Sequence, residues 1–206
     1  MDPHQLAALV AKYPMRVLQN GNIRTSPVRL SYAGGLFKPR KVKDTDQPKY
    51  SVSLLFPVGA ELGILYNAAN QAAANKWGNN VPKNVKNPFL KQDDVPDDGY
   101  QDGAIYLRCN ATENNPPQVR DLQGRALLTE ADCYSGSWAL ATIRCFSYDV
   151  DRGLSRGVAF GIQNVLKIAD GDRFSGKPSA DEDFNDILEA TGGTADMSNG
   201  AGQFFR

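Results

Sequence analysis

The stretch SWALATIRCFSYDVDRGLSRGVAFGIQNVLKIADGDRF, Ser137–Phe174, decides the fold. Two runs of strand-like sequence flank a turn rich in Asp, Arg and Gly, the pattern of a long β-hairpin. Along the first run the even positions are Trp138, Leu140, Thr142, Arg144, Phe146 and Tyr148, and the odd ones are Ala139, Ala141, Ile143, Cys145 and Ser147. Successive side chains of a strand point to opposite faces, so the two sets lie on different sides of the sheet. The small residues suit a tightly packed inner face. The other face sets aromatic rings beside a guanidinium, a combination that grips single-stranded nucleic acid, because every base has a π-face and cations follow the phosphates. Trp, Leu and Phe on one strand face more often pack than bind. Trp138 and Phe146 are therefore read as core, with base stacking as the alternative, and Arg144 and Tyr148, nearer the turn, as the binding candidates. The turn adds Arg152 and Arg156.

Further strands appear upstream of the hairpin. Ile23–Phe37 is extended sequence broken by Pro27 and Gly34-Gly35, and YSVSLLF puts Tyr50, Val52, Leu54 and Phe56 on one side. GAIYLRCN sets Ile105, Leu107 and Cys109 opposite Tyr106 and Arg108, repeating the pairing of aromatic and arginine. Between the second and third of these segments, Leu62, Leu65, Tyr66, Ala69, Ala72, Ala73 and Trp77 form a helical stripe. Residues 79–103 are rich in Pro, Asn and Asp without periodicity, and read as a long loop. Five extended segments, one substantial helix after the second, and long loops predict a mainly β chain: a five-stranded, OB-like Greek-key barrel. Ahead of it, Asp2 is an N-cap candidate, Pro3 opens a helical turn, and Leu6, Leu9 and Val10 follow at helical spacing. The expected division is an arm at 1–20, a barrel domain at 21–176 and a flexible acidic tail at 177–206.

With 41% hydrophobic and 22% charged residues among 206, the composition is that of a globular chain able to bury one core. No apolar run approaches the roughly 20 residues of a membrane helix, and the first residues lack a secretory signal, so a cytosolic protein is expected. The only histidine is His4, and the three cysteines, Cys109, Cys133 and Cys145, are widely spaced. They are read as reduced core thiols; no metal site or cofactor is expected. The carboxylate pairs Asp93-Asp94, Asp97-Asp98 and Asp170/Asp172 lack a partnering His or Lys at motif spacing, and no catalytic residue is assigned.

A net charge of zero conceals a gradient. Residues 177–206 hold six acids against Lys177 and Arg206, a net of −4, which leaves +4 on residues 1–176. Basic residues cluster in the loop before YSVSLLF, where Phe37, Lys38, Arg40, Lys41 and Lys43 are candidates for contact with a polyanion.

Several blocks together resemble a known family. KYSVSLLFPVGAEL, an alanine-rich helix ending in KWG, GAIYLR, YSGSWALATIRCFSYD, GVAFGIQNVLKIADGDRFSG and DEDF resemble the single-stranded DNA-binding proteins of tailed bacteriophages, long catalogued as a domain of unknown function. The likeness runs from about Val28 to Phe184. Its most specific parts are Tyr134-Ser135-Gly136 and the block from Gly157 to Gly176. It implies an OB fold, sequence-tolerant binding of single-stranded DNA, and a service role in phage DNA replication, recombination or repair, in the cytoplasm of the infected host. On this reading the hairpin's Arg/aromatic face contacts DNA, and Asp181, Glu182, Asp183 and Phe184 are where a replication or recombination partner docks. The alternative is a structural phage protein whose barrel mediates protein contacts. The arm helix lies outside the likeness, and a tail finishing GQFFR departs from the uniformly acidic tip common in single-strand binders.

Overall fold

The computed structural model describes residues 2–41, 43–44, 47–95, 99–150 and 155–174. Helix α1 (Pro3–Lys12) starts as its sequence predicts: the Asp2 side chain accepts a hydrogen bond from the Gln5 N–H at 2.8 Å, and Gln5 Oε1 accepts from the Asp2 N–H. That reciprocal box satisfies two donors the first turn would leave orphaned. Strands β1 (Arg16–Val17), β2 (Ile23–Arg24), β3 (Val28–Ser31) and β4 (Lys49–Leu55) follow, with a 3-10 turn at Ala33–Leu36. Helix α2 (Gly63–Trp77) leads to β5 (Leu90–Lys91), a second 3-10 turn at Gln92–Asp94, β6 (Ile105–Thr112) and β7 (Gln118–Arg120). The long hairpin is β8 (Trp138–Val150) and β9 (Ser155–Ala169).

Five of these strands close on one another. Antiparallel pairings join β3 to β4, β4 to β6, β9 to β8 and β8 to β3, while β6 runs parallel to β9. The circuit β3-β4-β6-β9-β8 is a meander whose fifth strand returns beside the third, and it is the partly open Greek-key barrel of an OB fold. Only two residue pairs are registered at each of the β3–β8 and β6–β9 seams. The expected five strands and the helix after the second are thus present; β1, β2, β5 and β7 are short additions at the edges.

The interior is filled from alternate positions. Val28, Leu30, Val52, Leu54, Leu107, Cys109, Ala139, Ala141, Ile143, Phe160 and Ile162 form one buried cluster, to which α2 adds Leu65 and Ala69. Trp138 and Leu140 point the other way, into a separate cluster with Ile168 roofed by Leu6, Leu9 and Tyr13. Trp138 is therefore buried as expected, but outside the barrel, beneath the arm helix. Phe146 departs from expectation. It is 46% exposed, because α1 covers only the first two outward positions of β8 and the strand runs on beyond it.

The 79–103 segment is better organised than its composition suggests. The Gln92 side chain is buried; its amide donates to the carbonyls of Phe56 (2.8 Å) and Ile105 (2.9 Å) and its Oε1 accepts from the Gln101 N–H (2.9 Å). One satisfied amide holds the loop to the ends of β4 and β6, which no hydrophobic period announces.

Candidate nucleic-acid interface

Outward positions of four neighbouring strands fall into register. Ser53 pairs with Arg108, and Ser51 with Asn110. Asn110 in turn pairs with Gly161, and Gly161 with Arg144. A row from Ser51 through Asn110 and Gly161 to Arg144 therefore crosses β4, β6, β9 and β8. One step along the hairpin, Phe146 stands opposite Ala159 and Tyr148 opposite Gly157. The outward residues of β9 are small at all three positions, and the large side chains of β8 lie across them. The Phe146 ring comes within 3.6 Å of where a Cβ on Gly161 would sit, and Tyr148 crosses Gly157. What results is a shallow trough with an aromatic ring on its floor, Arg144 and Arg108 exposed along it, and polar Asn110 between them.

Two loops border this face. The one joining the first and second barrel strands carries Lys38, Arg40, Lys41 and Lys43, all exposed. It is tied down where Arg40 and Lys49 exchange backbone hydrogen bonds of 2.9 and 3.0 Å. Phe37 is half-buried and packs with Tyr50 against the core, so it anchors this loop. At the other border, the β8–β9 turn, Arg156 Nε stands 4.0 Å from Asp149, whose carboxylate also accepts from Trp77 Nε1 at 3.3 Å. Arg152, Asp97-Asp98 and the tail residues Asp181, Glu182, Asp183 and Phe184 lie outside the described residues. In OB folds the face of the second and third strands and these two connecting loops bind oligonucleotides.

Tyr106 requires a correction. Expected on the open face beside Arg108, it is only 4% exposed. The aperiodic segment ahead of β6 folds back, so that the Tyr100 ring meets Tyr106 edge-on at 5.5 Å, while Tyr100 Oη donates to Ser31 Oγ at 3.2 Å. Arg108, 5.7 Å from the Tyr106 ring, remains exposed beside it. A residue that alternation alone misplaces is Tyr32, 61% exposed and left-handed at φ 56°. Alternation with Val28 and Leu30 would turn its ring inward. The left-handed turn sends it out, at the start of the cationic loop, in a backbone conformation that a bulky residue adopts only when its surroundings enforce it. Here the enforcement is local: Gly35 N–H bonds to the Tyr32 carbonyl (3.1 Å) and Ala33 N–H to Ser135 Oγ (3.0 Å).

Ser135 belongs to the Tyr-Ser-Gly motif, and the structure gives that motif a scaffolding task. Phe174 N–H bonds to the Ser135 carbonyl at 3.1 Å, and Arg29 donates to the carbonyls of Gly136 and Asp172. The Arg29 guanidinium lies 4.2 Å from the Phe174 ring centroid, and burial holds its pKa below the usual arginine range. Gly136, at φ 109°, faces the Asp172 carbonyl so closely that no Cβ fits. The Tyr-Ser-Gly motif is thus packed on Asp172 and Phe174, the end of the block whose beginning, Gly157 to Gly161, lines the trough. Burial also pushes the Cys133 and Cys145 thiols up to about 11 and raises Cys109, so all three are protonated at neutral pH.

Comparison with known proteins bears on the family and the fold. The family model described as Enterobacter phage Enc34, ssDNA-binding protein, matches residues 21–196. Among solved structures, the single-stranded DNA-binding protein from bacteriophage Enc34 in complex with ssDNA superposes with a TM-score of 0.65 at 24% identity, over 79% of this chain and 94% of that one. Its C-terminal truncation gives 0.63 at 25% identity over the same shares. The single-stranded DNA binding protein gp2.5 encoded by bacteriophage T7 gives 0.54 at 14% identity, covering 84% of this chain and 97% of that one, a likeness of fold. No curated protein sequence matches the chain significantly. The resemblance carried by the sequence blocks is borne out, and the chain belongs to the Enterobacter phage Enc34 ssDNA-binding protein family.

Proposed function

We propose that the chain binds single-stranded DNA without sequence preference and serves phage DNA replication, recombination or repair in the cytoplasm of the infected host, as a binding protein and not an enzyme. The observation that carries this reading is the exposed Phe146 ring, set over small residues of β9 between Arg144 and Arg108, with a cationic loop at the border. Stacking of a base on an accessible ring contributes about 1–3 kcal/mol whatever the base, and cations along the trough follow the backbone. Phe146 and Tyr148 are the rings of this surface, and Tyr32 extends it; Arg108, Arg144, Lys38, Arg40, Lys41 and Lys43 meet phosphates, with Arg152 and Arg156 at the far turn. Residues 1–20 form an arm that stabilises β8, 21–176 the binding domain, and 177–206 an acidic tail. The tail's charge of −4 and the mixed carboxylates and aromatic of Asp181, Glu182, Asp183 and Phe184 suit a docking segment for a replication or recombination protein. No helix among the described residues is long and apolar enough to cross a membrane.

Fluorescence anisotropy with labelled oligonucleotides tests the reading. Single strands of different sequence are expected to bind with similar affinity, duplex of equal length far more weakly. Affinity should fall with salt by a log–log slope of about 0.7 for each phosphate contacted. Absence of binding at low salt, or a preference for duplex, would overturn it.

A further inference from the structure

A second concentration of arginines lies on the same sheet, apart from the trough. Arg16 stands directly opposite Arg24 in the β1–β2 pair, and like charges so placed destabilise a sheet. Arg24 donates through Nη2 to the Pro14 carbonyl at 3.1 Å, but its Nε is buried and has no partner among the described residues. A buried polar group without a partner is costly, more so when it is charged. Burial, and after it the nearness of Arg16, lowers the pKa of Arg24.

Register places a receptacle beside this group. Arg24 pairs with Thr142, Thr142 with Asn164, and Asn164 with Gln118, a polar row across β2, β8, β9 and β7. A cavity of about 520 Å³ opens there; Tyr13, Arg24, Thr142, Asn164, Gln118 and Arg120 form its polar side, Leu140, Ala141, Val165 and Leu166 the rest, and no carboxylate lines it among the described residues. The Arg120 guanidinium is oriented by hydrogen bonds to the Gly124 carbonyl (2.7 Å) and Gln118 Oε1 (3.5 Å). Thr142 also precedes Arg144 by two positions on the outward side of β8, about 7 Å along the strand. The cavity therefore continues the line of the trough.

We propose that the Arg24–Arg120 cavity receives a phosphate of the bound single strand, extending its path along β8 beyond Arg144. The proposal rests on the single-strand reading above. A phosphodiester supplies the acceptor that Arg24 Nε lacks and offsets the opposed charges of Arg16 and Arg24. Planar guanidinium groups suit bidentate contact with phosphate oxygens.

The test compares the full chain with the double variants Arg24→Gln/Arg120→Gln and Arg24→Lys/Arg120→Lys, using labelled oligothymidylate at several salt concentrations. The glutamine pair should lower affinity several-fold at low salt and reduce the log–log salt slope by about 0.7, the share of one phosphate. The lysine pair keeps the charge and should retain the slope with weaker binding. Thermal melting should show the glutamine variant still folding cooperatively above the assay temperature, so that its lost affinity is read from the folded protein. An unchanged affinity and slope in the glutamine variant, with wild type binding DNA, overturns this inference alone; failure of wild type to bind overturns the single-strand reading with it. Inorganic phosphate at constant ionic strength provides the second arm. If it raises the melting temperature of wild type only, while the variant binds DNA as wild type does, the cavity serves a free anion and the proposal is overturned.

Discussion

Trp138 and Phe146 share one face of one strand, and what separates them is the covering that each receives. Trp138 is 7% exposed beneath the arm helix, and Phe146 is 46% exposed above the glycine and alanine of β9. Phe146→Ala should therefore weaken single-strand affinity by about 1–3 kcal/mol while leaving the melting temperature nearly unchanged. Trp138→Ala should instead destabilise the fold by about 3–5 kcal/mol, as emptying an aromatic site does. Anisotropy and thermal melting on the same two proteins check both. A Phe146→Ala variant of full affinity contradicts the stacking role; a stable Trp138→Ala variant that no longer binds DNA reverses the two assignments. Alternation told the inner from the outer side of β8 correctly. It did not tell which outer residues would find a roof, because the roof comes from a helix more than a hundred residues away in sequence. Tyr106 failed for the same reason: its cover is Tyr100, from a segment without periodicity.

At the scale of elements, the hairpin, the helix after the second strand and the Asp2 cap were legible, since each is written in local spacing. The trough was written there too, in the small residues Gly157, Ala159 and Gly161, but it acquires meaning only once register sets them opposite Tyr148, Phe146 and Arg144. The Tyr-Ser-Gly motif and the end of the Gly157–Gly176 block were legible as distinctive and illegible as to purpose. The structure shows them packed together through Arg29, with Ser135 also fixing the turn behind Tyr32. Gly136→Ala forces a side chain into a left-handed position against the Asp172 carbonyl. It should cost about 1–3 kcal/mol of stability, read as a lower denaturant midpoint at unchanged m. A midpoint equal to wild type would mean that this clasp contributes nothing to the fold.

At the scale of the chain, the described residues form an OB barrel whose added edges do separate work. The arm helix shields the start of β8, the segment ahead of β6 shields the upper part of β6, and the face between them is left open. Topology of this kind follows from long-range pairing, and the five-strand count suggested it only because the strands and the helix came in the order an OB barrel requires. The row from Arg24 to Gln118 was wholly hidden, since it joins four strands spread from residue 24 to 164. A neutral chain hides its charge in the same way, with +4 on residues 1–176 against −4 beyond. The central claim is that the open face of β4, β6, β9 and β8 is where a single strand lies. Backbone amide shifts of the isotope-labelled full chain, titrated with oligothymidylate, test it most directly. The largest changes should fall on Arg108, Asn110, Arg144, Phe146 and Gly161 and on the loop at residues 38–43, with the solvent side of α2 silent. Changes concentrated on α2 or on the Arg29–Phe174 clasp, with Arg108, Phe146 and Gly161 unmoved, would contradict the account.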